Sequence, residues 1–192
     1  KERGWNRVGP LARVNVCDYI QTPKAQKELE IFRSYTNGKP NHMTLHYHWA
    51  RLIEILHCAE KMKEMLNDKD LQKTNMIKNG KPKREGIGVL EAPRGTLIHH
   101  YKIDESDKIS FCNLIVSTTH NNEAMNRATM HIAKDYMEGK KKITEAMTNA
   151  IEVGIRAFDP CLSCATHALG QMPLKLQLVG SNGNLLDEYV KD

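Results

Sequence analysis

Two thiols, a carboxylate and an imidazole fall within the nine-residue run Asp159-Pro160-Cys161-Leu162-Ser163-Cys164-Ala165-Thr166-His167. Thiolates are soft ligands and imidazole suits several transition metals, so the run has the composition of a metal site. The two-residue spacer of Cys-x-x-Cys lets the chain turn back and aim both sulfurs at one ion, and the first turn of a helix can lower a thiol pKa. Two thiolates and one histidine still leave a four-coordinate site one ligand short. Either two copies of the chain share an ion, or the remaining ligands lie outside these 192 residues. A zinc ribbon would carry a second Cys-x-x-Cys in the same module, and the sequence has none, which makes zinc the weaker choice.

Such a cluster needs a frame. Met147, Ala150, Ile151, Gly154 and Phe158 mark the buried face of a helix that follows Thr144, and Pro160 takes the chain out of it just before Cys161. The cysteines therefore belong at a rigid junction. Upstream, Asn121-Asn122-Glu123 can start a helix over Ala124 to Met137, stopped by Gly139 and three lysines. Gly86 to Tyr101 and Ile109 to Ser117 are rich in residues that favour extended structure and are joined by the polar turn Asp104-Glu105-Ser106-Asp107, which predicts a hairpin or short sheet. Asn67 to Arg84 has the composition of an exposed loop.

Nearer the start, Pro23 opens a helix from Lys24 to Tyr35, closed by Asn37-Gly38 and Pro40. A long helix follows from His42 to Leu66, with Leu45, Trp49, Leu52, Leu56, Ala59 and Leu66 as its apolar stripe. His42, His46 and His57 cluster in its projection without a cysteine or carboxylate to complete a metal set, and are read as surface or partner-facing. Lys1 to Thr22, with Gly4, Gly9 and Pro10, carries no periodic signal and lacks a start methionine, so Lys1 is read as a cut edge. After His167, Leu174, Leu176 and Leu178 alternate with polar residues, and Ser181-Asn182-Gly183-Asn184 makes a turn before Leu185 and Leu186, a hairpin signature.

Composition narrows the function classes. The net charge is +5, but 28 basic residues are interleaved with 23 acidic ones and aromatics are only 6%, which argues against a nucleic-acid stripe. Lys81-Pro82-Lys83-Arg84 and Lys140-Lys141-Lys142 are read as solvated turns. No apolar run reaches the roughly 20 residues of a membrane helix and the first residues are no signal peptide, so neither nucleic acid nor membrane insertion is expected and the address is cytoplasmic by default. Five cysteines, only two closely spaced, predict a reducing compartment without a disulfide framework, with Cys17, Cys58 and Cys112 as small buried hydrophobes. His120 and His131 are read as structurally satisfied groups.

The spelling Asp-Pro-Cys-x-x-Cys-x-x-His resembles the C-terminal signature of the nickel-iron hydrogenase large subunit. Glu91-Ala92-Pro93-Arg94-Gly95, with Leu97 and His99, is similar to a second segment of that family, and Val116-Ser117-Thr118-Thr119-His120-Asn121 to a third, in the expected order. The resemblance implies an α+β, predominantly helical fold: residues 1–167 as the C-terminal part of the large subunit with a small β-sheet, and 168–192 as an extension. It implies heterolytic cleavage or formation of dihydrogen at a nickel-iron centre carrying carbon monoxide and cyanide. Cys161 would be a terminal nickel ligand and Cys164 a bridging one. Arg94, oriented by Asp159, would act as base, sharing the proton role with Cys161. Thr118 and the backbone near Pro93 would enclose the diatomic ligands, and His167 would hold a separate magnesium or iron ion.

Details of the motif spelling are most similar to cytoplasmic hydrogenases of methanogenic archaea, which deliver electrons to a deazaflavin or a heterodisulfide-reducing flavoprotein complex. The chain has no cysteines for iron-sulfur clusters, which implies a separate small subunit. It also departs from the family: the second Cys-x-x-Cys of the large subunit is absent, so this chain is expected to be a fragment, inactive alone. Residues after His167, which a maturation endopeptidase removes in the family, are still present. The alternative is a non-catalytic metal-binding or assembly-scaffold protein.

Overall fold

The computed structural model describes residues 4–166 and 173–191, and the chain divides into two compact units, Val8–Ser117 and Lys1–Arg7 with Thr118–Asp192. The first unit starts with three helices, α1 (Pro10–Val16), α2 (Pro23–Ser34) and α3 (His46–Met65). Proline opens both α1 and α2, where its fixed φ fits and its missing N–H costs nothing. After α2 the chain enters the left-handed region at Asn37 (φ 53°) and Gly38 (φ 75°), and the Gly38 N–H returns to the Arg33 carbonyl at 2.9 Å. The exposed N–H groups at the start of α2 are capped from α3: Glu60 accepts from Lys24 N at 3.1 Å and Ala25 N at 3.0 Å. Arg33 closes the other end of α1 by donating to the Val14 carbonyl at 3.1 Å and to the Cys17 carbonyl.

Helix α1 is not foreseen by the sequence pattern, because seven residues give too short a span for a periodic signal. For α3 the helix is present but its apolar stripe is misassigned. Tyr47, Ala50 and Ile53 are the buried residues, packed with Leu11, Val14, Leu29 and Phe32, whereas Leu45, Leu52 and Leu66 are more than half exposed. Both faces of α3 are apolar, so periodicity alone could not choose between them. His46 and His57 are half-buried and bonded within the chain, to Asn41 Nδ2 at 2.6 Å and Thr22 Oγ1 at 3.0 Å, which corrects their reading as surface groups.

Residues 67–84 are exposed and irregular apart from a short turn of 3₁₀ helix at Lys69–Gln72. The unit then closes with an antiparallel sheet in the order β1 (Glu85–Ala92), β2 (Gly95–Ile103), β3 (Ile109–Ile115). The stretch Gly86–Tyr101 is itself a hairpin, in register Ala92↔Gly95, with Pro93 and Arg94 at its two-residue tip. Asp104 shapes the β2–β3 turn, its carboxylate accepting from the N–H groups of Ser106 and Lys108.

The other unit is built from α4 (Ser117–Met137) from Thr118 onward, α5 (Glu145–Ala157), the short α6 (Leu162–Thr166) and a hairpin of β4 (Leu174–Val179) and β5 (Leu185–Lys191). Helix α4 starts seven residues before its expected start at Ala124, because Ser117, Thr118 and Asn121 are buried and the helix carries them inward. On α5, Met147, Thr148, Ile151, Gly154 and Ala157 are buried. Gly154 is the close-approach point, where an added Cβ would meet the Ile132 side chain of α4. The tail hairpin is tied to this frame by Lys191, whose Nζ lies 3.1 Å from Glu152, and by Asp187, which accepts the Ile143 N–H at 2.7 Å. Among the described residues no helix is long and apolar enough to cross a membrane.

Candidate metal centre

Helix α5 ends at Ala157, and Asp159 then takes φ 50°, a left-handed conformation that Asp tolerates better than most residues. Pro160 follows, and Cys161 sits directly before α6, with Cys164 inside it. The two Cα atoms are 5.3 Å apart and the sulfurs are paired as a disulfide, a pairing within the motif that the sequence reading did not foresee. The turn itself is the reason: a Cys-x-x-Cys turn leaves both sulfurs aimed at one point. Reduced, the pair becomes two thiolates on one edge, soft donors of the kind that suit soft or borderline transition metals. Thr118 fixes this edge from below. Its Oγ1 accepts the Cys161 N–H at 3.0 Å, and the residue is only 5% exposed. His167 lies outside the described residues. Among the described residues no group of three or more His, Cys, Asp or Glu converges on a point.

Pro93 and Arg94 stand at the β1–β2 tip in the Val8–Ser117 unit. This tip is clamped chiefly by Arg13 and Glu54, which belong to none of the three motifs. Arg13 of α1 donates from Nη1 to the Ala92 carbonyl at 2.9 Å and from Nη2 to the Pro93 carbonyl at 2.8 Å. The same guanidinium meets Glu91 at 2.6 Å and forks onto both carboxylate oxygens of Glu54 at 2.6 Å. Burial works against the charge on Arg13, but the hydrogen bonds from Glu54 and Glu91 outweigh it and hold its pKa above the ordinary arginine value. From the other side, Gly9 (φ 97°) lies so close that a Cβ there would come within 2.7 Å of the Arg94 carbonyl oxygen. The signal for Arg13 was present only as a charged residue in the seven residues of α1, with nothing in the sequence to pair it with Glu54 and Glu91.

Two further expectations fail. Cys58 of α3 and Cys112 of β3 are exposed, because their helix and strand faces have no cover among the described residues, and Cys17, just past the end of α1, is half-exposed. The buried Nε2 of His120 has no hydrogen-bond partner among the described residues, so this imidazole is not fully satisfied.

A family model described as nickel-dependent hydrogenase matches residues 3–167. The chain belongs to the nickel-dependent hydrogenase family. Over its whole length the chain is 57% identical to the beta subunit of the NAD-reducing hydrogenase HoxS of Cupriavidus necator, covering 40% of that protein. It is 42% identical over 96% of its length to a vhc subunit of the F420-non-reducing hydrogenase of Methanococcus voltae, covering 39% of it. A crystal structure of an NAD+-reducing nickel-iron hydrogenase in the H2-reduced state superposes with a TM-score of 0.80 at 52% identity, over 85% of this chain and 36% of that one. The α+β fold is therefore that of the hydrogenase large subunit, and this hydrogenase chain spans about 40% of the length of the relatives it matches.

Proposed function

We propose that this chain supplies two of the metal-centre thiolates and the neighbouring arginine of a nickel-iron hydrogenase, as the C-terminal part of its catalytic large subunit, in an enzyme coupling dihydrogen oxidation to NAD+ reduction. The observation that carries the reading is the Cys161–Cys164 edge, anchored through Thr118, in a chain 57% identical throughout to a subunit of an NAD-reducing hydrogenase. That identity exceeds the 42% to the archaeal protein, which favours a nicotinamide acceptor over a deazaflavin or heterodisulfide.

In this reading Cys161 and Cys164 hold nickel and iron, and Thr118 and the backbone near Pro93 enclose carbon monoxide and cyanide. The bound centre supplies the polarising metals for dihydrogen. Cys161 or Arg94 accepts the proton, with Asp159 orienting Arg94 by a charge-assisted hydrogen bond. The overall balance would be H2 + NAD+ giving NADH + H+, and iron-sulfur clusters on a small subunit together with a flavin-bearing partner would supply the electron path to the acceptor. His167 holds a magnesium or iron ion, residues 168–192 form the peptide that a maturation endopeptidase removes, and the assembly is cytoplasmic.

The test is co-production with the rest of the large subunit, together with its partners, under anaerobic, reducing conditions. Nickel and iron, infrared bands of carbon monoxide and cyanide, and dihydrogen-dependent NADH formation are expected. Cys161→Ser and Cys164→Ser should each lower bound nickel at least tenfold. Zinc alone, or no metal, would sink the reading in favour of a scaffold.

A further inference from the structure

The five guanidinium hydrogens of Arg13 are all committed: Nε and Nη2 to the two oxygens of Glu54, Nη1 to Glu91, and the remaining two to the carbonyls of Ala92 and Pro93. The Ala92 carbonyl belongs to the last paired residue of the β1–β2 hairpin and the Pro93 carbonyl to its tip, beyond the ladder, where a backbone acceptor needs another partner. The Pro93 carbonyl belongs to the peptide unit that joins Pro93 to Arg94, so a hydrogen bond to it fixes the plane from which the Arg94 Cα departs. The ring of Pro93 already restricts its own φ, and Gly9 blocks movement of the Arg94 carbonyl from behind. The Thr96 hydroxyl donates to the second oxygen of Glu91 at 2.7 Å, so the clamp also spans the far side of the tip.

We propose that Arg13, held in its fork by Glu54, is a positioning residue that sets the direction of Arg94 for the dihydrogen reaction. The proposal rests on the reading of Arg94 as a proton acceptor. Arg13 touches no reacting atom; it acts by orienting the peptide that carries one. Lysine cannot replace it, because a single ammonium cannot reach two carbonyls and two carboxylates at once in a planar fork. Glu54 is needed for the same reason, since it presents both oxygens to one edge of the guanidinium and turns the other edge toward the tip.

The experiment uses the assembled holoenzyme and four variants: Arg13→Lys, Glu54→Gln, Arg94→Lys and the double variant Arg13→Lys with Arg94→Lys. Turnover is normalised to bound nickel, so loss of folded or loaded enzyme does not register as loss of rate. Arg13→Lys is expected to lower kcat at least tenfold, with the KM for the electron acceptor unchanged and the pH profile displaced in the same direction as for Arg94→Lys. Glu54→Gln should produce a smaller loss, about threefold to tenfold, in the same parameter, and it serves if Arg13→Lys assembles poorly. The double variant should be no slower than Arg94→Lys within a factor of two, because both changes act on one step. Losses that multiply in the double variant, or kcat within twofold of the parent in both Arg13→Lys and Glu54→Gln, overturn the proposal. If Arg94→Lys itself keeps full turnover, the reading of Arg94 fails and the proposal falls with it. If Arg94→Lys is slow while the clamp variants are not, only the proposal falls.

Discussion

At Gly95 the backbone has φ 133°, and an added Cβ would press on the Val8 side chain and come within 2.9 Å of the Gly9 nitrogen. Strain of that kind costs about 1–3 kcal/mol before any clash is counted. Gly95→Ala should therefore lower the urea midpoint of unfolding clearly, while Gly88→Ala, with open space around it, should leave the midpoint unchanged or raise it slightly. A midpoint for Gly95→Ala equal to that of the parent would count against this packing. Glu60 makes a second residue-level prediction. Burial raises its pKa, but the N–H groups of Ala25 and Lys24, the Thr22 hydroxyl and the Lys24 charge together bring it below the ordinary glutamate value. Its stabilisation is therefore fully present above the unfolded pKa, about 4.3, and is lost as pH falls through the lower folded value. The stability gap between the parent and Glu60→Gln should be constant from neutrality down to the carboxylate range and shrink below it, as read by denaturation at a series of pH values.

Elements were legible where their signal was long or punctuated. Pro23 with Asn37-Gly38 bracketed α2 to within a residue, and alternating leucines with Ser181-Asn182-Gly183-Asn184 located the tail hairpin. Helix α4 was read too short, since Ser117, Thr118 and Asn121 look like turn or cap residues until tertiary contacts bury them. A two-stranded hairpin is marginal alone, so β4–β5 depends on its anchors. Glu152 is only 16% exposed at its side chain, and its pair with Lys191 is worth more than a fully solvated one, roughly 1 kcal/mol. Lys191→Met should speed amide exchange of Leu176, Leu178 and Tyr189 by about fivefold, with exchange in α5 slower to respond. Equal rates in both proteins would show that Asp187 alone holds the hairpin.

Across the molecule, the faces of α3 show how the core is divided. Ile53 is fully buried and Leu52 is 63% exposed, although they are neighbours of similar size. Ile53→Ala should cost about 2–4 kcal/mol in this 192-residue chain, whereas Leu52→Ala should stay within about 0.5 kcal/mol. Comparable losses for both would mean that the outward face is covered. Leu45, Ile55, Met62 and Leu66 share the exposure of Leu52. Relatives are about two and a half times as long, since this chain covers 40% of the first of them. Burial in this chain alone therefore decides which apolar face of α3 carries its stability here.

Residue type and spacing alone determined the chemistry on offer: soft sulfurs with two residues between them at a proline-bounded junction, an arginine in Glu-Ala-Pro-Arg-Gly, and the family to which these belong. Such features are local, and local order survives in a one-dimensional record. Only the tertiary structure decided that Pro93 and Arg94 form a hairpin tip, that Thr118 supports Cys161, and that Arg13 and Glu54 clamp the tip from α1 and α3. Arg13 lies 41 residues from Glu54 and 80 from Pro93. A hydrogen bond between groups so far apart leaves no periodicity or motif in the sequence, because it depends on where folding carries each backbone and not on what stands beside each residue.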